Sequence, residues 1–563
     1  MTAAFLLFLG ILEYLVFSAS FSQFFQGDAL FYMSHRFRSW SEFLHALYSL
    51  DIAHWYRPLS SQTIPSLFFG WFGLNPYGYH WVVFLLFFAT TCVVFVFLRR
   101  LTASFVTAAA GTVFFSIHSI NVYVTYDFAF APELFYACFY LLSCIAYIRG
   151  ANSKGWYALS ILFFVLALMS KEAAVTLPAN ILLLNIFFSW GRAKKDVLPF
   201  FGILTLYYLY IVRFSKVGAG DYAVAFHKDL FTRMQDSLLW ALDLAHGRMR
   251  VAVVCAALAV VAYAIASFFG VRRRYTIFGI CWFVIALSPM LGIIGYFGPY
   301  YLFLPLVGIA LISGEFFGWL HRTISQFNPK VAFGFVVLGL APFVFAARLN
   351  AQAELYTNTA LGYAGRIAGN SARDLKRSHD TVPQGATVYI INPDQPELWR
   401  LFGINGLIRL LYADDTIDVR YSSLGHTFYD VVENGNLIVM KYANEGLVPE
   451  EPKAAVLEKF EQDFQYETSS RFTFNVTPNE VAAGSGAYSL RISGAENSDV
   501  ELQYRFNEGP LAFFTVHLNA HGETRFFVSE ETKRGTYRFV AMRIVPTRMW
   551  IKVGGAVTVL ERR

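Results

Sequence analysis

Charge is scarce in this sequence. Asp, Glu, Lys and Arg make up 15% of its 563 residues, against about 25% in soluble domains. Cysteine is scarce too. The five cysteines, Cys92, Cys138, Cys144, Cys255 and Cys281, all fall in apolar runs. That excludes a disulfide framework and a zinc-type Cys/His spacing, and leaves them as small apolar fillers. No glycine-rich loop ends in a Lys-Ser/Thr pair, which excludes a P-loop ATP-driven pump, and no GxGxxG follows a strand. No 34-residue helical repeat is present. The N-terminus has no basic flank, and Glu13 interrupts its apolar run. The expectation there is a retained first span rather than a cleaved leader. Glu13 itself reads equally as a functional intramembrane acid or as a hydrogen-bonding partner for a neighbouring helix.

Apolar residues are what the chain has: 56% are hydrophobic and 18% aromatic. Runs long enough to cross a bilayer recur through the first 350 residues. The pattern is that of an α-helical polytopic membrane protein with eleven spans near 3–21, 79–98, 102–119, 132–149, 155–170, 173–190, 197–214, 250–270, 275–294, 300–320 and 331–348. The basic residues Arg99, Arg100, Arg149, Lys154, Arg192, Lys194, Lys195, Arg272, Arg273, Arg274, Arg322 and Lys330 then share one side. The positive-inside rule makes that side cytoplasmic. The segments 22–78, 120–131, 215–249 and everything after 350 face outward. The net charge of +6 needs no nucleic-acid partner, because many of the cations serve orientation.

The more polar tail reads as two further regions. A polar helix (350–378) leads into a small α/β unit, with strands at 386–392, 417–421 and 437–442 and a helix at 397–412. From 449 the pattern is all β and implies a β-sandwich. The expected domains are therefore 1–349, 350–448 and 449–563.

Chemistry is sought on the outer face, because the cytoplasmic segments are too short to bind a nucleotide sugar. Asp28 stands immediately after the first span. A carboxylate at a low-dielectric surface with cations nearby can take a proton from a hydroxyl; an Asp in that position also suits a helix N-cap. Arg57, between Tyr56 and Pro58, has its direction restricted by the proline and can bind a phosphate bidentately. Asp127, Glu133 and Glu172 are candidates for a second acid. Lys171-Glu172 reads either as a self-neutralising pair or as a substrate-facing one. Lys171, His227, Lys228 and Arg233 add cations on the outer side, where the positive-inside rule does not place them, and read either as headgroup contacts or as a phosphate-binding site for a lipid-linked donor. His80 and His118 complete the candidates. No residue pattern calls for a metal or cofactor.

Taken in order, Tyr56-Arg57-Pro58-Leu59, Gly73-Leu74-Asn75-Pro76 with Tyr79-His80, His118, and Ser170-Lys171-Glu172 with Pro178 resemble the GT-C superfamily of polytopic glycosyltransferases. The likeness is to its protein O-mannosyltransferase-like branch, the relatives of the tetratricopeptide-carrying transmembrane O-mannosyltransferases, and covers roughly 20–310. Two positions depart from the pattern. Tyr123 stands where that branch has an acid, and Pro299-Tyr300-Tyr301-Leu302-Phe303-Leu304-Pro305 lacks its Glu and Arg. The resemblance implies a base at Asp28, a polyprenyl-phosphate sugar donor (mannose by analogy), a hydroxyl acceptor on a protein, glycan or lipid, and inversion at the anomeric carbon. It also implies a bacterial inner membrane with the tail in the periplasm. The alternatives are a lipid-linked-sugar flippase and a catalytically degenerate scaffold.

Overall fold

The computed structural model describes the chain except residues 1, 49–55, 127, 151–152, 189–193, 215–228, 245–249, 269–272, 294–296, 357–359, 425–435, 451–465, 468–471, 483–485, 508–510, 529–533, 545–549 and 561–563. It divides into two compact units. One is Met1–Gly369 together with Arg400–Leu410; the other is Asn370–Trp399 with Leu411–Arg563. The chain thus leaves the first unit, enters the second, and returns for eleven residues.

The first unit is helical. A helix stands at each of the eleven positions read as spans. Among the described residues, five stretches are long and apolar enough to cross a bilayer: Thr2–Ser22, Pro76–Thr102, Phe128–Arg149, Arg273–Leu291 and Pro329–Ala353. The chain is an integral membrane protein on that measure. Several others, such as Phe105–Ser116 and Lys154–Leu168, are shorter apolar helices, and the count of eleven does not follow from length and composition. Close packing relies on small residues, as expected where lipid gives no hydrophobic drive. A Cβ on Gly308, in the Leu306–Ser325 helix, would collide with the carbonyl oxygen of Gly279 in the Arg273–Leu291 helix. Glu13 is buried beside Thr91 of the Pro76–Thr102 helix.

The segment 22–78, expected as a loop, carries the helices Gly27–Ser34, Trp40–Ala46 and Thr63–Phe72. Helices of two to three turns carry little periodic signal. Their ends are set locally: Gln26 caps the first by accepting from the Asp28 N–H, and Ser39 caps the second by accepting from the Glu42 N–H. The 215–249 stretch likewise holds an amphipathic helix, Leu230–Ala241.

The second unit holds two β regions. In the first, Thr387–Ile391 lies between Asp418–Tyr421 and Leu437–Ala443, parallel to both, and Gly446–Glu450 pairs antiparallel with the latter. The helix expected over 397–412 is instead two short ones, Leu398–Leu401 and Gly406–Tyr412. Between them Gly403 (φ +59°) and Ile404 (φ +62°) turn left-handed, which ends a right-handed helix. In the second region, Thr473–Thr477, Gly486–Ser493 and Glu523–Val528 form one antiparallel sheet. Leu511–His517, Asp499–Phe506, Gly535–Ile544 and Trp550–Leu560 form the body of another. Leu490 and Ile492 of the small sheet share a buried core with Leu502, Met542 and Val557 of the large one, which is sandwich packing.

Candidate active site

The site is assembled by five segments at helix starts and helix junctions, those around Asp28, Arg57, Glu133, Lys171 and Tyr300. Asp28 is the second residue of the Gly27–Ser34 helix, so the cap position that its residue type favours belongs to Gln26 instead. That helix is clasped by the returning segment. A Cβ on Gly27 would strike the Arg400 carbonyl oxygen, and one on Gly406 would lie 2.7 Å from the Leu30 carbonyl oxygen. Backbone against backbone at this range leaves no room for a side chain. Gly27→Ala is therefore expected to cost several kcal/mol, as overpacking against rigid backbone does, and to lower the protein's Tm. The check is a thermal melt in detergent, alongside a neutral control such as Gly70→Ala, whose Cβ meets nothing within 4 Å.

Arg57 is placed by the backbone around it. The Leu59 N–H donates to the Met169 carbonyl (3.2 Å) and the Ser60 hydroxyl to the Ser170 carbonyl (2.6 Å). These bonds hold residues 57–60 against the junction of the Lys154–Leu168 and Leu177–Phe188 helices. Arg57 then grips Glu172 with two parallel bonds, Nε to Oε2 at 2.8 Å and Nη2 to Oε1 at 2.5 Å. Lys171, next along an extended backbone (φ −162°, ψ 140°), points elsewhere, as adjacent residues of an extended chain do. Its ammonium donates to Glu133 Oε1, with both side chains 3% exposed. The two residues therefore do not neutralise each other. Each has a distant partner.

Glu133 sits in the first turn of the Ala131–Arg149 helix, behind Pro132. Tyr300 and Tyr301 come from the Pro299–Leu302 turn, and the Lys171 ammonium lies 5.5 and 4.9 Å from their ring centres. Together these groups enclose a cavity of about 260 Å³, lined by Asp28, Phe31, Tyr32, Arg57, Ala129, Phe130, Pro132, Glu133, Lys171, Tyr300 and Tyr301. The Asp28 side chain is open to this cavity while protein surrounds it on most sides. Burial pushes its carboxyl above the ordinary Asp value, and the Arg57 and Arg400 charges pull the other way. Burial disfavours the charge on Arg57, and Glu172 outweighs it, so the guanidinium is held above its usual value.

Of the residues singled out from sequence, Asp28, Arg57, Glu133 and Lys171 meet at this cavity, with Glu172 one ion pair behind. The other described candidates do not line it. Tyr56 donates its hydroxyl to the Leu47 carbonyl. His80 is buried, stacked on Phe21 and bonded to the Gln23 carbonyl. His118 is buried on the Ala241 carbonyl. Arg233 donates to the Ile293 carbonyl and lies over Phe297. Asp127, His227 and Lys228 lie outside the described residues. Sequence reasoning missed Tyr32, Phe130 and Arg400, and gave Tyr300 and Tyr301 no role beyond their place in the departing segment. The aromatic Pro299-Tyr300-Tyr301 step between two spans was the available signal. For Arg400, in what reads as a soluble tail, there was none.

No protein family matches the chain, and no curated protein does. Among solved structures the chain is similar to the crystal structure of ArnT from Cupriavidus metallidurans bound to undecaprenyl phosphate. The identity is 11% and the TM-score 0.47, over 78% of this chain and 93% of that one. It is similar also to the oligosaccharyltransferase of Archaeoglobus fulgidus in the apo form, at 8% identity and TM-score 0.44, covering 100% and 99%. The same enzyme tethered to an acceptor peptide containing the NVT sequon gives 10% identity and TM-score 0.44, covering 99% and 97%.

Proposed function

We propose that this protein is a membrane glycosyltransferase that moves a sugar from a polyprenyl-phosphate carrier to a hydroxyl on the outer side of the membrane. The observation that carries this reading is one cavity holding a carboxylate without a hydrogen-bond partner among the described residues, Asp28, beside the fixed guanidinium of Arg57. The acceptor oxygen attacks the anomeric carbon. The bond from that carbon to the phosphate oxygen breaks, and the lipid phosphate leaves with the electron pair. The acceptor's proton passes to Asp28. A carboxyl raised above its usual value is a stronger base near neutral pH, and a placed guanidinium favours the charge that develops on the leaving phosphate. Attack opposite the leaving group inverts the anomeric configuration. Mannose as the sugar, the O-mannosyltransferase-like branch, and a bacterial inner membrane with a periplasmic tail rest on the resemblance in the ordered motifs alone.

The test uses the purified protein in nanodiscs with decaprenyl-phosphate sugars and a mixture of Ser/Thr peptides, glycans and lipids as acceptors. Free decaprenyl phosphate and a glycosylated acceptor are expected. Relocation of intact donor across a vesicle bilayer without its consumption would favour a flippase, and binding without turnover a scaffold. The pH profile gives a further expected outcome. A base must be deprotonated, so the rate falls on acidification, with its inflection above the ~3.9 of ordinary Asp. Arg400 favours the charged carboxylate, so Arg400→Gln raises the Asp28 value and moves that inflection to higher pH.

A further inference from the structure

The cavity contains an acceptor that the reaction outlined above leaves unused. Glu133 is 2% exposed and lines the cavity; its Oε1 accepts a hydrogen bond from the Lys171 ammonium, and its Oε2 has no hydrogen-bond partner among the described residues. A buried oxygen in that state is costly, and more so when charged. Beside it, the Lys171 ammonium has three N–H bonds, of which Glu133 takes one, and no other hydrogen bond from it is made among the described residues. The pair therefore offers one acceptor and at least one donor side by side. An ionised phosphate brings acceptors only and would meet a carboxylate lone pair. A hydroxyl brings both a donor and an acceptor.

We propose that the Glu133–Lys171 pair reads the sugar of the donor, with Glu133 Oε2 accepting from one ring hydroxyl and the Lys171 ammonium donating to its neighbour. This rests on the glycosyltransferase reading and moves Lys171 from the phosphate to the sugar. The wall fits such a ring. Phe130 and Tyr300 stand edge to face at 5.2 Å, and their faces suit the C–H side of a pyranose. The volume, about 260 Å³, lies below the ~300–1,000 Å³ of pockets for drug-sized ligands. A volume of that order suits a single sugar ring.

The experiment compares binding of decaprenyl phosphate, a panel of decaprenyl-phosphate hexoses and pentoses, and mono-deoxy analogues of the best binder. It uses the full chain in nanodiscs, wild type and Glu133→Leu/Lys171→Met. Replacing a buried ion pair by apolar residues of similar volume is often neutral for stability; Glu133→Gln/Lys171→Gln, which keeps neutral polar groups, serves if the first variant melts early. Wild type is expected to bind one glycosylated donor at least tenfold tighter than decaprenyl phosphate, and to lose about that factor when one of two adjacent hydroxyls is removed. The apolar variant is expected to bind decaprenyl phosphate as wild type does and to treat donor and deoxy analogues alike. Undiminished discrimination in the variant, weaker binding of bare decaprenyl phosphate by it, or a wild type that prefers no glycosylated donor overturns the sugar assignment alone. A wild type that binds no polyprenyl phosphate at all overturns the transferase reading, and this inference with it.

Discussion

Asp28→Asn is expected to lower sugar transfer by ~10²–10⁴-fold, the range general-base catalysis supplies, while the affinity for donor stays within a few-fold of wild type. Asn keeps the shape of the side chain and removes its charge and its ability to take a proton. The carboxylate makes no hydrogen bond to the described residues that the amide would break, so the fold should be unaffected. The measurement is single-turnover transfer from a decaprenyl-phosphate sugar, with donor binding followed separately. Unchanged transfer by Asp28→Asn would remove Asp28 from the chemistry.

The second large effect belongs to Arg57. Arg57→Ala takes away the guanidinium proposed for the phosphate and strands Glu172, whose side chain is only 33% exposed. Transfer is expected to fall by at least ~10²-fold, comparable to losing one donor from an oxyanion site, with donor affinity falling too. Arg57→Lys should restore little, because an ammonium cannot make two parallel bonds to one carboxylate. Glu172→Gln separates positioning from charge. It keeps the cation and loosens its orientation, so KM is expected to rise with a smaller change in kcat. If Arg57→Ala lowers Tm without any loss of donor affinity in the surviving protein, Arg57 is a structural cation only.

What the sequence made legible was whatever follows from local pattern. Apolar runs placed a helix at every expected span, and strands in the tail were found from alternation and turn residues. Ionisable residues are scarce in this sequence, and four of those singled out, Asp28, Arg57, Glu133 and Lys171, share one cavity. Pairing was not legible. Arg57 finds Glu172 across 115 residues and Lys171 finds Glu133 across 38, and nothing local distinguishes those partners from the other charges nearby. At Lys171-Glu172 adjacency left two readings open, and the extended backbone sends the neighbours to different partners, Lys171 to Glu133 at the cavity and Glu172 to Arg57 behind it. The basic residues of 215–249 read as a phosphate site on charge alone, yet the described one, Arg233, is spent on a backbone carbonyl.

The excursion of the chain through residues 370–399 before Arg400–Leu410 rejoins the helices bears on how this protein can be dissected. Gly27, Leu30 and Phe31 lean on a strut that is encoded after the first stretch of the second unit, Asn370–Trp399. A gene cut after the last hydrophobic helix would keep every apolar segment and still lack a buttress of the reaction chamber. Ribosomal synthesis meets the same constraint, since the helix bearing Asp28 emerges some 370 residues before the brace that completes its seat.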